Sequence, residues 1–452
     1  MRRQVVIVGG GLAGIAAALD CADAGAEVTL LESRARLGGA AYSFARDGVV
    51  ADNGQHVFLR CCTAYRGLLE RVEALDMVTL QERLAIPVLA PGRPTAWLRR
   101  NGLPAPLHLA GAVARYRLLS MRERAAVVRA MQTLRAVDRE DPATDDRSFG
   151  DWLAEQHQGQ DAIESVWNLI ARPTLNLLPE EASLAQAAQV FQVGLLEDAA
   201  AADIGYARVP LSHIHDRAAR RALERAGVDV RMRRGATAIV PDGDTLRVEI
   251  NAAPVVEADA VVLAVPHERA ARLLPAAAGV DSARLMRLGR SAIVNVHVVY
   301  DRRVLEHPFA AGVHTPVQFV FDRTAGAGLD SGQYLAVSLS AAREELDASI
   351  EDLRARYLPA LAELLPAARD ANVETFFVTR EHTATFRAAP GSRALRPGPR
   401  TRLPGLVLAG SWTDTGWPAT MEGAVRSGQA AACEALAALA AAPRRERTAV
   451  AV

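Results

Sequence analysis

The chain has 452 residues, half of them hydrophobic, so it is long enough to bury about two or three cores and we expect a globular protein. All 52 basic residues are arginine, and the 52 acidic residues balance them to a formal net charge of zero. This balance argues against nucleic acid as a partner, and the absence of lysine excludes Schiff-base and other lysine-dependent catalysis.

The N-terminal segment predicts a nucleotide-binding βαβ unit. A short apolar strand over residues 5–8 leads into three glycines with the spacing G-x-G-x-x-G, namely Gly9, Gly11 and Gly14. The first glycine permits a tight turn, the second lets a pyrophosphate approach the backbone, and the third lets helix and strand pack closely. The next strand ends at Glu32, where a carboxylate can bind a ribose hydroxyl. The segment therefore predicts an adenine dinucleotide site.

Two elements downstream indicate FAD rather than NAD. Arg36, Gly38 and Gly39 form an R-x-G-G motif, which is typical of FAD-binding flavoproteins. The segment VVADNGQHVFL then resembles the D-x-G element that passes beside the isoalloxazine ring in the amine oxidase and phytoene desaturase superfamily. We expect its polar side chains, among them Asp52 and His56, to lie within reach of a bound substrate.

Strand, turn and helix patterns recur in three separated parts of the chain. We expect residues 1–80, 205–275 and 396–440 to form one Rossmann-like FAD-binding domain of the α/β class. Residues 441–452 are expected to be a flexible tail.

The two insertions between these parts differ in their predicted secondary structure. Residues 81–204 are expected to be mostly helical, with a helix over 121–137 and another capped by Ser148. Residues 276–395 open with a β-rich run at 291–300. We expect both insertions to form one α+β substrate domain over the flavin.

The glycine-rich segment 409–428 predicts further contact with the flavin. The start of its helix offers free N–H groups and a dipole that would stabilise negative charge on a reduced flavin. Trp412 is interpreted as a core residue, and Trp417 as core or flavin-edge packing. The H-x-H of His213 and His215 has no third ligand nearby, so we expect solvated histidines and no metal.

The motifs DNGQHVFL, WNLIARPTLNLLPEEAS, RVPLS and especially SWTDTGWPATMEGAVRSG make nearly the whole chain resemble the hydroxysqualene dehydroxylases. These are FAD-dependent enzymes of bacterial hopanoid biosynthesis. Ser411 departs from the family, which usually has an acid there that contacts the ribityl chain, so either Ser411 or Asp414 is expected to make that contact. FAD is expected to bind without a covalent bond. The residues expected to bind it are Gly9, Gly11, Leu12, Ala13, Gly14, Glu32, Ser33, Arg36, Gly38, Gly39, Gly54, Gln55, His56, Ala236, Gly410, Ser411, Trp417, Met421, Glu422 and Ala424.

The resemblance implies reductive removal of the hydroxyl group of hydroxysqualene, which gives squalene. A general acid would assist departure of water from an allylic carbon, and the reduced flavin would deliver hydride. The long isoprenoid substrate would need a dry, apolar tunnel, because stray water would quench the cation. An unidentified electron donor must reduce the flavin. The expected tunnel residues are Leu169, Ile170, Leu175, Leu177, Leu178, Phe191, Val193, Leu195 and Leu196.

The proton donor is expected among three side chains near the flavin, Asp52, His56 and Asp414. Glu422 opens a helix, where the dipole favours its ionised form and makes it a poor acid. A nearby carboxylate such as Asp52 would raise the pKa of His56. We therefore expect His56 to donate the proton or to relay it through water, with Asp414 as the alternative.

The segment 102–120 predicts contact with a membrane surface, although it also fits an ordinary core helix. Leu107, Leu109 and Leu119 would face the lipid. The flanking arginines are Arg99, Arg100, Arg115 and Arg117.

Two other functions stay open: a carotenoid or phytoene-type desaturase, and a non-catalytic flavin- or lipid-binding protein. The four cysteines show no C-x-x-C spacing, and no apolar run is long enough to span a membrane. We expect reduced, buried thiols in a cytoplasmic protein that is peripheral on the inner face of the bacterial cytoplasmic membrane.

Overall fold

The computed structural model describes residues 3–441, and a sheet of five parallel strands lies at its centre. Val5 and Ile7 pack against a layer of helices, whereas Val6 and Val8 pack on the opposite face. Burial on both faces explains why the central strands are continuous apolar runs. The strands come from three separated parts of the chain, which confirms the predicted Rossmann-like α/β fold. In spatial order they are Asp229–Met232, Glu27–Glu32, Gln4–Val8, Ala260–Leu263 and Leu406–Leu408.

Strands of both insertions share a second sheet of seven strands. The predicted run at 291–300 is the strand Ser291–Tyr300. The first insertion is mostly helical as predicted, but it also contributes Ala85–Leu89 and Ala96–Arg99. Pro87 argues against a strand at the level of sequence, because proline cannot donate to a strand ladder. The order is Val373–Thr385, Ser291–Tyr300, Gln333–Ser340, Phe319–Asp322, Phe309–Gly312, Ala85–Leu89 and Ala96–Arg99.

Three small sheets complete the strand structure. One is the hairpin Ser43–Arg46 with Val49–Asp52. The second pairs Ile204–Ala207 with both Val57–Leu59 and Val78–Leu80. The third is a meander of Ala236–Asp242, Thr245–Ile250 and Ala253–Ala258.

Local capping explains where two predicted helices begin. Ser120 and Glu123 form a capping box at the start of Met121–Arg135, and Ser148 accepts a 2.9 Å hydrogen bond from the Asp151 N–H. The α-helices are Leu12–Asp23, Thr63–Arg71, Ala110–Arg115, Met121–Arg135, Pro142–Asp145, Phe149–Glu155, Gln160–Ala162, Asn168–Leu175, Leu184–Phe191, Ala219–Arg225, His267–Leu273, Ser282–Met286, Thr324–Ala327, Arg343–Asp347, Ile350–Leu364, Ser392–Leu395 and Met421–Ala441. Short 3-10 turns are Leu75–Met77, Leu107–Leu109, Pro179–Glu181, Ala276–Ala278 and Pro366–Arg369, and π-helical turns are Ile163–Trp167, Gln192–Leu196 and His213–Ala218.

Among the described residues, no helix combines the length and apolar character needed to cross a bilayer. The tail expected over 441–452 lies outside the described residues, apart from its first residue.

Candidate functional site

The glycine turn after the first strand has the close packing that its spacing predicts. Gly9 has φ +111°, and a Cβ atom there would lie 2.4 Å from the Ala264 carbonyl oxygen. A Cβ atom on Gly14 would lie 1.9 Å from the Gly9 carbonyl oxygen. Only glycine therefore fits at these two positions without movement of the backbone. At Gly11 the nearest atom to an added Cβ is the Gly39 Cα at 3.7 Å, so the backbone beside it stays open.

The carboxylate of Glu32 is held beside this turn. Glu32 is buried at the end of its strand, and one oxygen accepts a 2.8 Å hydrogen bond from the Gly10 N–H. The other oxygen accepts hydrogen bonds from the Arg34 N–H at 2.7 Å and the Ser33 hydroxyl at 3.1 Å. These donors orient the carboxylate at the carboxyl edge of the sheet, where α/β folds bind nucleotides.

A cavity of about 1010 Å³ opens beside the glycine turn. Every residue expected to bind FAD lines it except Gly14, which packs against the Gly9 backbone instead. At Gly38 and Gly39 the backbone adopts φ +93° and +58°, and a Cβ on Gly39 would lie 2.9 Å from the Gly11 Cα. The two glycine segments therefore meet as bare backbone at one wall of the cavity.

The polar side chains of residues 52–56 do not all line the cavity. His56 lines the cavity, whereas Asp52 does not and instead forms an ion pair with Arg323, at 2.7 Å from Nη2 to Oδ2. The other Asp52 oxygen accepts hydrogen bonds from the Ser43 hydroxyl and the Leu211 N–H. Desolvation and the Arg323 guanidinium lower the pKa of His56 to about 4. The expectation that Asp52 raises this pKa is therefore wrong.

The remaining wall of the cavity is largely apolar. Five of the nine expected tunnel residues line it: Leu169, Ile170, Val193, Leu195 and Leu196. The other four are directed elsewhere, because each helix turns one face to the cavity and another to the core: Leu175, Leu177 and Phe191 are buried in the core, and Leu178 is 38% exposed. Lining residues that the sequence did not single out include Val113, Val127, Met131, Ile293, Phe309, Phe319 and Phe321. Local apolar patterns carry no signal that separates a cavity wall from a core.

Residues 12–436 match the family described as flavin containing amine oxidoreductase. The chain belongs to this family. It is 32% identical to the hydroxysqualene dehydroxylase of Rhodopseudomonas palustris, with 97% of this chain and 99% of the relative covered. It is 28% identical to the zeta-carotene desaturase of Synechocystis, with 96% and 97% covered. A solved putrescine oxidase has a TM-score of 0.73 at 22% identity, with 96% of this chain and 99% of that chain covered, and shows the same fold.

Membership of this family makes the protein an FAD-dependent oxidoreductase, so the interpretation as a non-catalytic binding protein is not supported. The cavity wall fits the cofactor, since bare glycine backbone, the helix start at Leu12 and the oriented Glu32 carboxylate face one space. Bare N–H groups at a helix start suit a pyrophosphate, and a carboxylate suits a ribose.

The C-terminal motif of this flavoenzyme is held by an arginine that the sequence did not reveal. Arg396 is buried, and its Nη2 donates hydrogen bonds to the carbonyl oxygens of Ser411, Thr413 and Trp417. Burial lowers the pKa of Arg396 to about 10. Ser411 lines the cavity, whereas Asp414 is exposed and does not line it.

Glu422 is buried at the start of the last helix. Its carboxylate accepts hydrogen bonds from the Ala64 and Tyr65 N–H groups at 3.2 and 2.8 Å and from the Arg426 Nε at 2.6 Å. Trp412 is 3% exposed in the core and donates a hydrogen bond to the Val265 carbonyl oxygen, as expected for a core residue.

Two expectations about histidine and cysteine need correction. His215 is buried rather than solvated, because its Nδ1 lies 3.1 Å from the Ala41 carbonyl oxygen and its Nε2 lies 2.8 Å from the Tyr65 hydroxyl. The part of the chain that the structure describes contains no group of three or more metal-ligating side chains. All four cysteines are free, but Cys61 is only half-buried and Cys433 is exposed.

Proposed function

We propose that the enzyme removes the hydroxyl group of hydroxysqualene reductively and releases squalene. The proposal depends mainly on the large cavity, in which the residues around FAD and an apolar wall face one continuous space. The 32% and 29% identity to two hydroxysqualene dehydroxylases, over almost the whole chain, supports this substrate.

The reaction replaces a C–O bond by a C–H bond. The substrate hydroxyl takes up one proton and leaves as water, and one hydride adds to the allylic carbon. Reduced FAD would supply the hydride, and an electron donor would then have to reduce the oxidised FAD for the next turnover. Apolar side chains such as Leu169 and Leu195 keep water away from the carbon that carries positive charge. Asn53, Gln55 and His56 are the polar side chains of residues 52–56 that line the cavity, and we assign proton transfer to His56 because an imidazole exchanges protons whereas the two amides do not.

The apolar rim of the cavity supports contact with a membrane surface, from which a lipid substrate could enter. Leu107 and Val128 line the cavity and are 55% and 42% exposed, and nearby Leu103 and Met121 are 50% and 75% exposed. The expected role of Leu119 is wrong, because this side chain is buried in the core. Of the expected flanking arginines, Arg100 is paired with Asp203 at 2.6 Å, and Arg99, Arg115 and Arg117 remain for contact with a headgroup.

We further propose that FAD is bound without a covalent bond and that the domains have the boundaries expected from the sequence. Cys433 does not line the cavity, which argues against a thioether from the C-terminal motif. Residues 1–80, 205–275 and 396–440 supply the parallel sheet, and residues 81–204 and 276–395 supply the seven-stranded sheet.

A carotenoid-type desaturase is the second candidate, favoured by the 28% identity to a zeta-carotene desaturase. Steady-state product analysis separates the two functions. We expect the enzyme, with a chemical reductant and hydroxysqualene dispersed in detergent, to accumulate squalene. It should leave phytoene and zeta-carotene unchanged when an electron acceptor replaces the reductant. Conversion of either carotene without squalene formation would favour the desaturase.

A further inference from the structure

A second, small cavity lies behind His56. Its volume of about 10 Å³ is close to the room that one water molecule needs. Gln55, His56, Val57 and Phe321 line both this cavity and the large one, so they form the wall between the two. Its other lining residues are Asp52, Tyr206, Ala207, Leu211, Pro308, Asp322 and Arg323.

The small cavity is polar and reaches the surface. Val57 and Pro308 line it and are exposed to solvent. The Nε2 of Gln55 is buried without a hydrogen-bond partner in this shared wall, so a donor is available there for a water or a substrate oxygen. A site with polar partners and room for one water is the kind of site that binds water.

The charged groups around the small cavity are already fixed by other partners. Arg323 is paired with Asp52, and its guanidinium also donates to the carbonyl oxygens of Ala207 and Val209. Asp322 accepts hydrogen bonds from Thr324 and from the Gln333 amide. Within residues 3–441, in contrast, the His56 side chain has no hydrogen-bond or ion-pair partner, so it remains available to exchange a proton.

The proposed reaction creates a need for such a path. Each turnover consumes one proton at the carbon–oxygen bond, while a long apolar substrate fills the large cavity and blocks the route along it. A proton must then arrive through another wall. Desolvation and the Arg323 guanidinium disfavour a permanent positive charge on His56, so a neutral imidazole is suited to pass a proton on rather than to store it.

We propose that the small cavity is a water port through which solvent protons reach the substrate by way of His56, an inference that depends on the proposed dehydroxylation. One imidazole nitrogen gives its proton to the substrate hydroxyl as the C–O bond breaks and water leaves. The other nitrogen takes a proton from the port water, and the hydroxide that remains takes up a proton from solvent.

A variant in which a larger side chain covers the opening of the small cavity tests the proposal. Val57 is a strand valine, 41% exposed, so Val57→Phe should cover the opening without filling a core. Val255→Phe is the matched control, because Val255 is a strand valine, 49% exposed, that lines neither cavity. We expect Val57→Phe to bind FAD normally and to form squalene about tenfold more slowly in a single turnover of pre-reduced enzyme. The control should match the wild-type rate.

A second variant reports the proton transfer itself. His56→Gly should slow squalene formation about 100-fold, and added imidazole should restore much of the rate, which loss of a purely structural side chain would not allow. A wild-type rate in Val57→Phe, an equal loss in Val255→Phe, or no rescue by imidazole would overturn the port. A wild-type enzyme that forms no squalene would instead overturn the proposed function, so the two failures are distinct.

Discussion

At the scale of single residues, the Glu32 carboxylate supports the cofactor site most directly. It is buried and already oriented by the Gly10 and Arg34 N–H groups. A charge-assisted hydrogen bond from it to the adenosine ribose would contribute about 1.5–3 kcal/mol to binding. Glu32→Ala should therefore weaken FAD binding by roughly 10- to 150-fold. Titration of the apoprotein with FAD measures this change.

Glu27→Ala is the control for this experiment. Glu27 begins the same strand but is exposed and lies outside the cavity, so its loss should leave FAD affinity unchanged. Equal affinity in Glu32→Ala and the wild type would show that the carboxylate does not bind the ribose.

The local motif made Glu32 and the glycines predictable, because their roles depend on residues close in sequence. The environment of His56 was not predictable in the same way. Arg323 is far from Asp52 along the chain, and only the tertiary structure reveals that the two side chains form an ion pair. Desolvation is the main cause of the lowered His56 pKa, and the Arg323 guanidinium adds to it.

At the scale of elements, the rim of the cavity between Leu103 and Val128 is the surface that we expect to contact lipid. Leu103 and Met121 are exposed there and do not line the cavity, so they can be changed without touching the substrate site. The double variant Leu103→Ser with Met121→Ser should reduce co-sedimentation with anionic vesicles at least about tenfold, because each apolar side chain contributes about 1.5–3 kcal/mol when buried.

The double variant Val255→Ser with Met286→Ser is a matched control. Both side chains are 49% exposed and lie elsewhere in the chain. If both double variants sediment like the wild type, the rim is not a membrane surface.

Elements with a strong hydrophobic or capping pattern were predicted correctly from the sequence, whereas short elements with a weak pattern were not predicted. The capped helix Met121–Arg135 and the strand Ser291–Tyr300 were both predictable from periodicity. The short strand Ala85–Leu89 forms because Phe309–Gly312 offers it a sheet edge, and Ala96–Arg99 pairs in turn with Ala85–Leu89. No local sequence pattern predicts either pairing.

At the scale of the whole molecule, buried neutral histidines link stability to pH. Desolvation lowers the pKa of His215 to about 4 and that of His297 to about 3, whereas the unfolded value is about 6.5. Below about pH 6.5 the unfolded chain binds protons that the folded chain excludes. The free energy of unfolding should therefore decrease as the pH is lowered, by roughly 2 kcal/mol per pH unit from these two groups between about pH 6 and 4.

Denaturant unfolding at several pH values, with FAD in excess, measures this slope. His297→Gln should make this slope shallower by roughly 1 kcal/mol per pH unit, whereas the exposed His382→Gln should leave it unchanged. An unchanged slope in His297→Gln would mean that His297 does not contribute.

The parallel sheet and the FAD turn follow from strong patterns, but the cavity is a property of the assembled molecule. Its wall combines residues from the first insertion, such as Met131, with residues from the second, such as Phe319. Sequence alone could not show that these surfaces meet.

The most direct test of the proposed function is a single turnover without oxygen. Enzyme reduced with dithionite is mixed with hydroxysqualene, and both the visible absorbance of FAD and the lipid products are followed. We predict that FAD is reoxidised as one squalene forms per FAD. Flavin that stays reduced while hydroxysqualene is recovered unchanged would contradict the proposed dehydroxylation.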